Sequence, residues 1–335
     1  MRKGRCASMK LSEENDILWG YTSLIVKSLA KILPNSQACL KASLLSSFST
    51  VSDVSIQRMQ GTREDGVREE DPKAILIGSK GVLENFKRIR QYREIAIKNA
   101  SSDELGSFID FLDQSIEILT SLIRQQRSNG IRGIYVIVDP QATKGRDPYK
   151  MAEKVIKGGV KVIQYRDKKK EKSSVMQECY RLAELCNKHN VTFVVNDSAE
   201  IARFVDADFL HVGQNDIPVG LCRTVLDDHQ CIGKSNDGVA EAMESEKHGV
   251  DYLAVGAVYN TDTMGKSHRV PVGTKGLIKV KESTSLPIVA IGGINEGNLR
   301  EVKSTGVDSV CIVSAITMAE DPEVAASKLV SIWDS

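Results

Sequence analysis

The stretch from Ile134 to Asp139 reads Ile-Tyr-Val-Ile-Val-Asp, a short apolar run that ends in a carboxylate. Further runs rich in Val and Ile follow it at helix-length intervals. They lack strict polar alternation, which is typical of strands buried on both faces. The predicted strands are 134–139, 160–166, 192–197, 209–213, 231–235, 252–258, 287–293 and 309–316. The predicted helices are 148–158, 174–189, 198–205, 218–227, 238–248, 275–283, 296–304 and 322–333.

This alternation predicts an α/β fold, a (β/α)8 TIM barrel over residues 131–335. A doubly wound sheet is the rival arrangement. The even spacing of the units and the lack of a Gly-x-Gly-x-x-Gly turn after the first predicted strand count against that sheet.

The first part of the chain has a different character, because residues 12–127 contain few strand-like runs. Ser101 and Glu104 form a capping box, and apolar residues then recur at three- and four-residue steps as far as Ile123. An all-α N-terminal domain is therefore predicted over residues 1–128. We favour an oligomerisation or packing role for it, since apolar helix faces require only burial, and a homo-oligomer stays an open expectation.

Composition excludes several classes of protein. Lys and Arg number 45 against 44 Asp and Glu, so no overall field favours nucleic acid, and a bound anion needs a local cluster. Seven cysteines without a Cys-x-x-Cys pair argue against a disulfide framework and a structural zinc site. The basic start lacks the apolar centre of a signal peptide, and no apolar stretch is long enough to span a bilayer. A cytoplasmic protein without a membrane or nucleic-acid partner is expected.

Polar side chains follow the second predicted strand, at the end where barrels carry out their chemistry. Gln164, Arg166 and Lys168 alternate, so they face the same side of an extended segment. A planar guanidinium and a mobile ammonium together suit a phosphate or pyrophosphate. A solvated charged loop is the competing interpretation.

Two carboxylates follow the third and fourth predicted strands. Asp197 and Asp216 are expected to converge, and Mg2+ uses hard oxygen ligands of this kind when substrate phosphate completes its coordination shell. Each of them would also serve as an ordinary helix cap. Two interpretations stay open for His211, within the fourth predicted strand: a hydrogen-bonded core histidine or a catalytic residue.

The last three predicted strands indicate a second anion site. The polar, glycine-bearing stretch from Val255 to Lys266 is typical of a mobile loop that closes over substrate. Gly292-Gly293 and Val313-Ser314 follow the seventh and eighth predicted strands, where barrels often bind phosphate through backbone amides. Two anion sites in one barrel mouth favour joining a phosphorylated acceptor to a group activated by pyrophosphate.

In their order and spacing these motifs resemble the thiamine-phosphate synthase family over nearly all of residues 132–335. The motifs that carry the resemblance include Tyr135–Asp139, Gln164–Lys168, Asn196-Asp197, His211–Asp216, Ala290–Ile294 and Val313-Ser314. It implies a transferase of thiamine biosynthesis that takes two small-molecule substrates. Pyrophosphate would leave a pyrimidine-methyl group as a stabilised cation, which the nitrogen of a thiazole phosphate would capture.

The resemblance also implies roles for individual residues. It implies Mg2+ ligands at Asp197 and Asp216. It implies pyrophosphate contacts from Arg166, Lys168 and Asn196. It implies contacts to the pyrimidine region from Gln164, Ser235 and Thr261. It implies thiazole-phosphate contacts from Gly293, Val313 and Ser314. Thr263 and Lys266 complete the expected substrate-binding set, and the expected catalytic residues are Arg166, Lys168 and Ser235.

One position departs from the family pattern. Met264 stands where the family usually has a lysine that grips pyrophosphate, and we hypothesise that Lys266 or Lys234 replaces it. Two alternatives stay open, a thiazole tautomerase of the same barrel family and a non-catalytic sensor that binds thiamine phosphates. Retention of both carboxylates and both cations argues for the synthase.

Overall fold

The computed structural model describes residues 123–261 and 270–335, together with Lys87 and five positions between 113 and 121. The chain divides into two units, Met1–Ile123 and Arg124–Ser335. The predicted all-α domain over 1–128 lies almost entirely outside the described residues. Its helical character and its boundary therefore stay predictions.

Eight parallel strands form a closed barrel in which each strand pairs with the next and β8 pairs with β1. The predicted (β/α)8 barrel is confirmed. The strands are β1 Gly133–Val138, β2 Val162–Tyr165, β3 Thr192–Asn196, β4 Phe209–Val212, β5 Cys231–Asn236, β6 Tyr252–Val255, β7 Ile288–Ile291 and β8 Ser309–Cys311.

Helices cover the barrel, and each of the eight predicted helical segments overlaps one of them. They are Pro148–Lys157, Lys172–His189, Ala199–Phe204, Val219–Val225, Val239–Lys247, Gly273–Ser283, Leu299–Ser304 and Pro322–Asp334. The helix Pro148–Lys157 begins where the Asp147 carboxylate accepts from the backbone N–H of Lys150, with proline in its first turn. Among the described helices, none has both the length and the apolarity needed to cross a bilayer.

Two of the predicted strands extend three or more residues beyond the carboxyl end of the observed strand. The sixth ends at Val255 rather than residue 258, and the eighth ends at Cys311 and is followed by a helical turn, Ser314–Thr317. Ile312 and Ile316 are both buried, so the apolar run continues although the strand has ended. Apolar content alone does not separate a buried strand from a buried connection.

The strands separate two apolar cores. Alternate residues such as Val162, Val194 and Phe209 fill the barrel interior, whereas their sequence neighbours pack beneath the helices. Continuing this alternation to the carboxyl ends of the strands assigns a set of polar residues to the interior. They are Asp139, Gln164, Asn196, His211 and Ser235.

Three aspartates at the amino-terminal ends of strands tie neighbouring strands together. Asp208, Asp251 and Asp308 precede β4, β6 and β8, and each carboxylate accepts from a backbone N–H of the strand before, at 3.0, 2.7 and 2.8 Å. Asp251 also forms an ion pair with Arg223. The same guanidinium donates to the carbonyls of Gln230 and Gly249 at 2.6 and 2.9 Å.

We expect Asp251→Ala to lower the free energy of unfolding by about 2–4 kcal/mol, because it leaves a mostly buried guanidinium without its counter-ion and a strand N–H without its acceptor. The control is Asp227→Ala, which removes a more exposed carboxylate from its ion pair with Arg203 and is expected to cost under about 1 kcal/mol. Denaturant titration of both variants measures the difference. Equal losses would contradict a special role for Asp251.

Candidate active site

Two carboxylates meet at the barrel mouth. Asp197 follows β3 directly with a left-handed backbone (φ 62°), and its carboxyl group lies close enough to that of Asp216 for each to affect the other's pKa. Asp216 Oδ2 accepts from the backbone N–H of Gly213 at 2.7 Å. The predicted convergence of the two side chains is therefore present, and Asp216 is held by the turn after β4.

The two carboxyl groups differ in their affinity for a proton. Burial raises the pKa of Asp197. Lys168 lowers this pKa, whereas the neighbouring Asp216 carboxyl group raises it. Burial raises the pKa of Asp216 as well, but the N–H of Gly213 and the contact with Asp197 lower it. The pKa of Asp216 is therefore below its usual value. Two carboxylates in contact hold a proton between them more readily than a single one does. A cation at this point would take the place of that proton.

Two cationic side chains follow β2, and each forms an ion pair with a carboxylate. Lys168 Nζ lies 2.8 Å from Asp197 Oδ2, and both side chains are partly exposed. The Arg166 guanidinium forms an ion pair with Asp139, whose side chain is only 2% exposed. Asp139 directly follows β1, and its other oxygen accepts from the N–H of Gln141 at 2.9 Å. Asp139 had no predicted role, although its position after a strand on the interior side marks it.

Inside the barrel, hydrogen bonds connect β2 to β5. Gln164 Nε2 donates to Tyr135 Oη at 2.8 Å, and this oxygen lies 3.2 Å from Tyr252 Oη. His211 Nδ1 lies 2.8 Å from Tyr252 Oη, and His211 Nε2 lies 3.0 Å from Ser235 Oγ. Both ring nitrogens of His211 thus have a hydrogen-bond partner, and one of these partners, Ser235, is a predicted substrate-binding residue. Neither tyrosine had a predicted role.

The ends of β7 and β8 present backbone to the mouth. Gly292 and Gly293 both have positive φ, 103° and 67°. A Cβ on Gly293 would lie 2.8 Å from the backbone oxygen of Asn260, so only glycine fits there without a shift. Val313 and Ser314 lie where the chain leaves β8 and enters the short helix Ser314–Thr317.

The loop after β6 is described only as far as Thr261. Thr263, Met264 and Lys266 lie outside the described residues, so their predicted contacts stay predictions. Lys234 pairs in register with Val212 and Leu253, which both belong to the outer core. This register assigns Lys234 to the helix side of β5, away from the barrel interior, which counts against Lys234 as the substitute for the missing lysine.

Sequence comparison identifies the family. A family model described as thiamine monophosphate synthase matches residues 134–316. The chain belongs to this family. The match begins within β1 and ends in the helical turn after β8, so all eight strands contribute to it.

Individual members of the thiamine monophosphate synthase family agree with this assignment. A thiamine-phosphate synthase of Shouchella clausii is 38% identical over 202 residues, which are 60% of this chain and 96% of that protein. One of Clostridium beijerinckii is 39% identical over 196 residues, 58% of this chain and 93% of that protein. A thiamine phosphate pyrophosphorylase from Pyrococcus furiosus, whose structure has been solved, is 34% identical in sequence, and the two structures superpose with a TM-score of 0.57. The match covers 62% of this chain and 97% of that protein.

Proposed function

We propose that the barrel is a thiamine-phosphate synthase. It would join 4-amino-2-methyl-5-pyrimidinylmethyl diphosphate to a thiazole phosphate, giving thiamine phosphate and diphosphate. The observation that carries the proposal is the pair of neighbouring carboxyl groups Asp197–Asp216, with Lys168 beside Asp197 at the mouth. Such a pair suits a metal-assisted diphosphate leaving group.

We propose Mg2+ as the metal, held by Asp197 and Asp216. Among the described residues no group of three or more His, Cys, Asp or Glu side chains gathers to form a metal site. Two carboxylates suffice for Mg2+ where substrate phosphate and water supply the remaining oxygens. When bound, the ion would offset the negative charge that develops on the leaving diphosphate.

The side chains around the pair would complete the diphosphate site. Lys168, Arg166 and Asn196 would donate to the diphosphate oxygens, and Asp139 would hold Arg166 in place. The C–O bond between the pyrimidine methylene and the diphosphate breaks, and its electron pair leaves with the diphosphate. The lone pair of the thiazole nitrogen then forms the new C–N bond. Catalysis would come from positioning and charge stabilisation, without a protein nucleophile.

The acceptor would lie against β7 and β8. Backbone groups of Gly293, Val313 and Ser314 would bind the thiazole phosphate. Thr261, Thr263 and Lys266 of the loop after β6 would close over the pyrimidine diphosphate, and Gln164 and Ser235 would contact its ring. We place the protein in the cytoplasm and allow for a homo-oligomer formed through the N-terminal part.

The carboxylate pair also separates this proposal from its alternatives. A thiazole tautomerase has no diphosphate to release, so it has no use for Asp197, Asp216, Lys168 and Arg166 together. A sensor of thiamine phosphates would bind the same ligands without turnover. Both alternatives therefore predict no diphosphate product.

The deciding experiment incubates the full chain with both substrates and Mg2+. A synthase releases diphosphate and thiamine phosphate in equal amounts, measured by coupled phosphate assay and by fluorescence of the oxidised product. Omission of either substrate is the control. Absence of both products with folded protein would overturn the proposal.

A glycine variant tests the acceptor site. Gly293→Ala is expected to raise KM for the thiazole phosphate about tenfold or more, because the new methyl group collides with Asn260 and displaces the backbone that would hold the phosphate. Gly306→Ala is the matched control, since Gly306 has a similar φ of 80° but open space around a Cβ. Steady-state kinetics with each substrate varied separately checks the result. A selective rise in KM for the pyrimidine substrate would contradict it.

A further inference from the structure

The hydrogen bonds inside the barrel have a direction. Gln164 Nε2 donates to Tyr135 Oη, and Tyr135 then has its own proton to donate, for which Tyr252 Oη at 3.2 Å is a partner. Tyr252 then accepts from Tyr135 and donates its own proton to His211 Nδ1. A neutral histidine that accepts at Nδ1 carries its proton on Nε2. The Nε2–H of His211 therefore donates to Ser235 Oγ.

We infer that Tyr252 is a positioning residue that sets the tautomer of His211 and thereby directs the proton of the Ser235 hydroxyl to the substrate. The inference rests on the proposed synthase function and deepens it. Ser235 Oγ already accepts from His211, and a hydroxyl has one proton to donate. The substrate atom opposite Ser235 must accordingly be a hydrogen-bond acceptor, such as a pyrimidine ring nitrogen or a diphosphate oxygen.

Packing holds Tyr252 in the place that this role requires. Its ring lies edge-on to Phe209, with centroids 5.5 Å apart, and is stacked with His211 at 5.7 Å. A Cβ on Gly233 would lie 2.0 Å from the Tyr252 ring, so the glycine in β5 makes room for the phenol. The ring has little freedom to turn, and its hydroxyl stays directed at His211.

Ser235 is fixed on its other side as well. The amide of Gln214 donates to the backbone carbonyl of Ser235 and, at 2.9 Å, to Glu241 Oε2. The backbone of Ser235 is thus held by Gln214, whereas its hydroxyl is oriented by His211. Burial raises the pKa of Tyr135 and of Tyr252, so both phenols keep their protons near neutral pH.

A double-mutant cycle tests the inference by kinetics. Tyr252→Phe is expected to lower kcat about tenfold, while KM for each substrate changes less than about twofold, because one hydrogen bond in the relay is lost. In a Ser235→Ala background the same substitution should change kcat by less than about twofold, since it acts through the absent hydroxyl.

Tyr165→Phe is the matched control for loss of a buried phenol hydroxyl. Tyr165 is as buried as Tyr252 but belongs to the outer core, and its hydroxyl donates to Asp167. Its effect on kcat should be the same in the wild-type and Ser235→Ala backgrounds. An equal loss from Tyr252→Phe in both backgrounds would overturn the inference.

Imidazole 15N NMR provides a test that does not depend on turnover. The chain has five histidines, and His211→Asn identifies the signals of His211 by their loss. The wild type should show His211 with its proton on Nε2 and an unprotonated Nδ1, and Tyr252→Phe should shift these signals toward a tautomer mixture. A proton on Nδ1 in the wild type would refute the relay even if the enzyme is active. Inactive protein with the expected tautomer would instead refute the synthase function.

Discussion

Asp197→Asn is expected to lower kcat about 10³-fold with both substrates and Mg2+ saturating. The substitution removes one of the two charges that would hold the metal and leaves Lys168 without its carboxylate partner. Asparagine is the right replacement because Asp197 has a left-handed backbone, which asparagine tolerates and alanine does not. The fall in kcat then measures the effect of the removed charge and not of a strained backbone.

Asp206→Asn is the matched control for this substitution. Asp206 also has a left-handed backbone, at φ 50°, and lies at the amino-terminal side of β4, where its carboxylate contacts His229. It should leave kcat within about twofold of wild type. Mn2+ binding, followed by electron paramagnetic resonance in the presence of diphosphate, should weaken only in Asp197→Asn. Unchanged turnover and unchanged Mn2+ binding in that variant would refute the metal assignment.

Arg166→Ala is expected to have two separate effects. Turnover should fall about 10²–10³-fold, because the diphosphate loses its planar, bidentate donor. The free energy of unfolding should also fall by about 3–5 kcal/mol, because the buried Asp139 carboxylate is left without a counter-ion. The first effect depends on the proposed function, whereas the second follows from the fold alone.

A second substitution separates these effects. Asp139→Asn added to Arg166→Ala removes the unpaired buried charge while it keeps an oxygen for the N–H of Gln141. The double variant should regain most of the lost stability in denaturant titrations but none of the lost turnover. Recovery of both would mean that Arg166 serves the fold only, and recovery of neither would refute the charge argument.

Much of the barrel was predictable because its signals are local. Each strand is a short Val- and Ile-rich run, and the alternation along a strand is a property of the backbone itself. Asp197 and Asp216 were found in the same way, since both follow strands whose carboxyl ends must meet. The ends of β6 and β8 were not predictable, because Ile312 and Ile316 stay buried after the ladder has ended.

The contacts between the site residues could not be predicted from the sequence. Tyr135 and Tyr252 look like ordinary core residues in their strands, and 117 positions separate them. Their hydroxyl groups meet only because the barrel closes. The pairing of Arg166 with Asp139 likewise joins the ends of β1 and β2, and nothing in either strand alone indicates which carboxylate the guanidinium selects.

The amino-acid sequence by itself thus determined the barrel, its family and the two strand-end carboxylates Asp197 and Asp216, because strand periodicity and strand-end chemistry are local. Only the tertiary structure decided which of these residues touch. It paired the two carboxylates and turned Lys234 to the helix side of β5. It also connected Tyr252 through His211 to Ser235. Hydrogen bonds form only within about 3 Å, and closure of eight strands is what brings distant side chains to that distance.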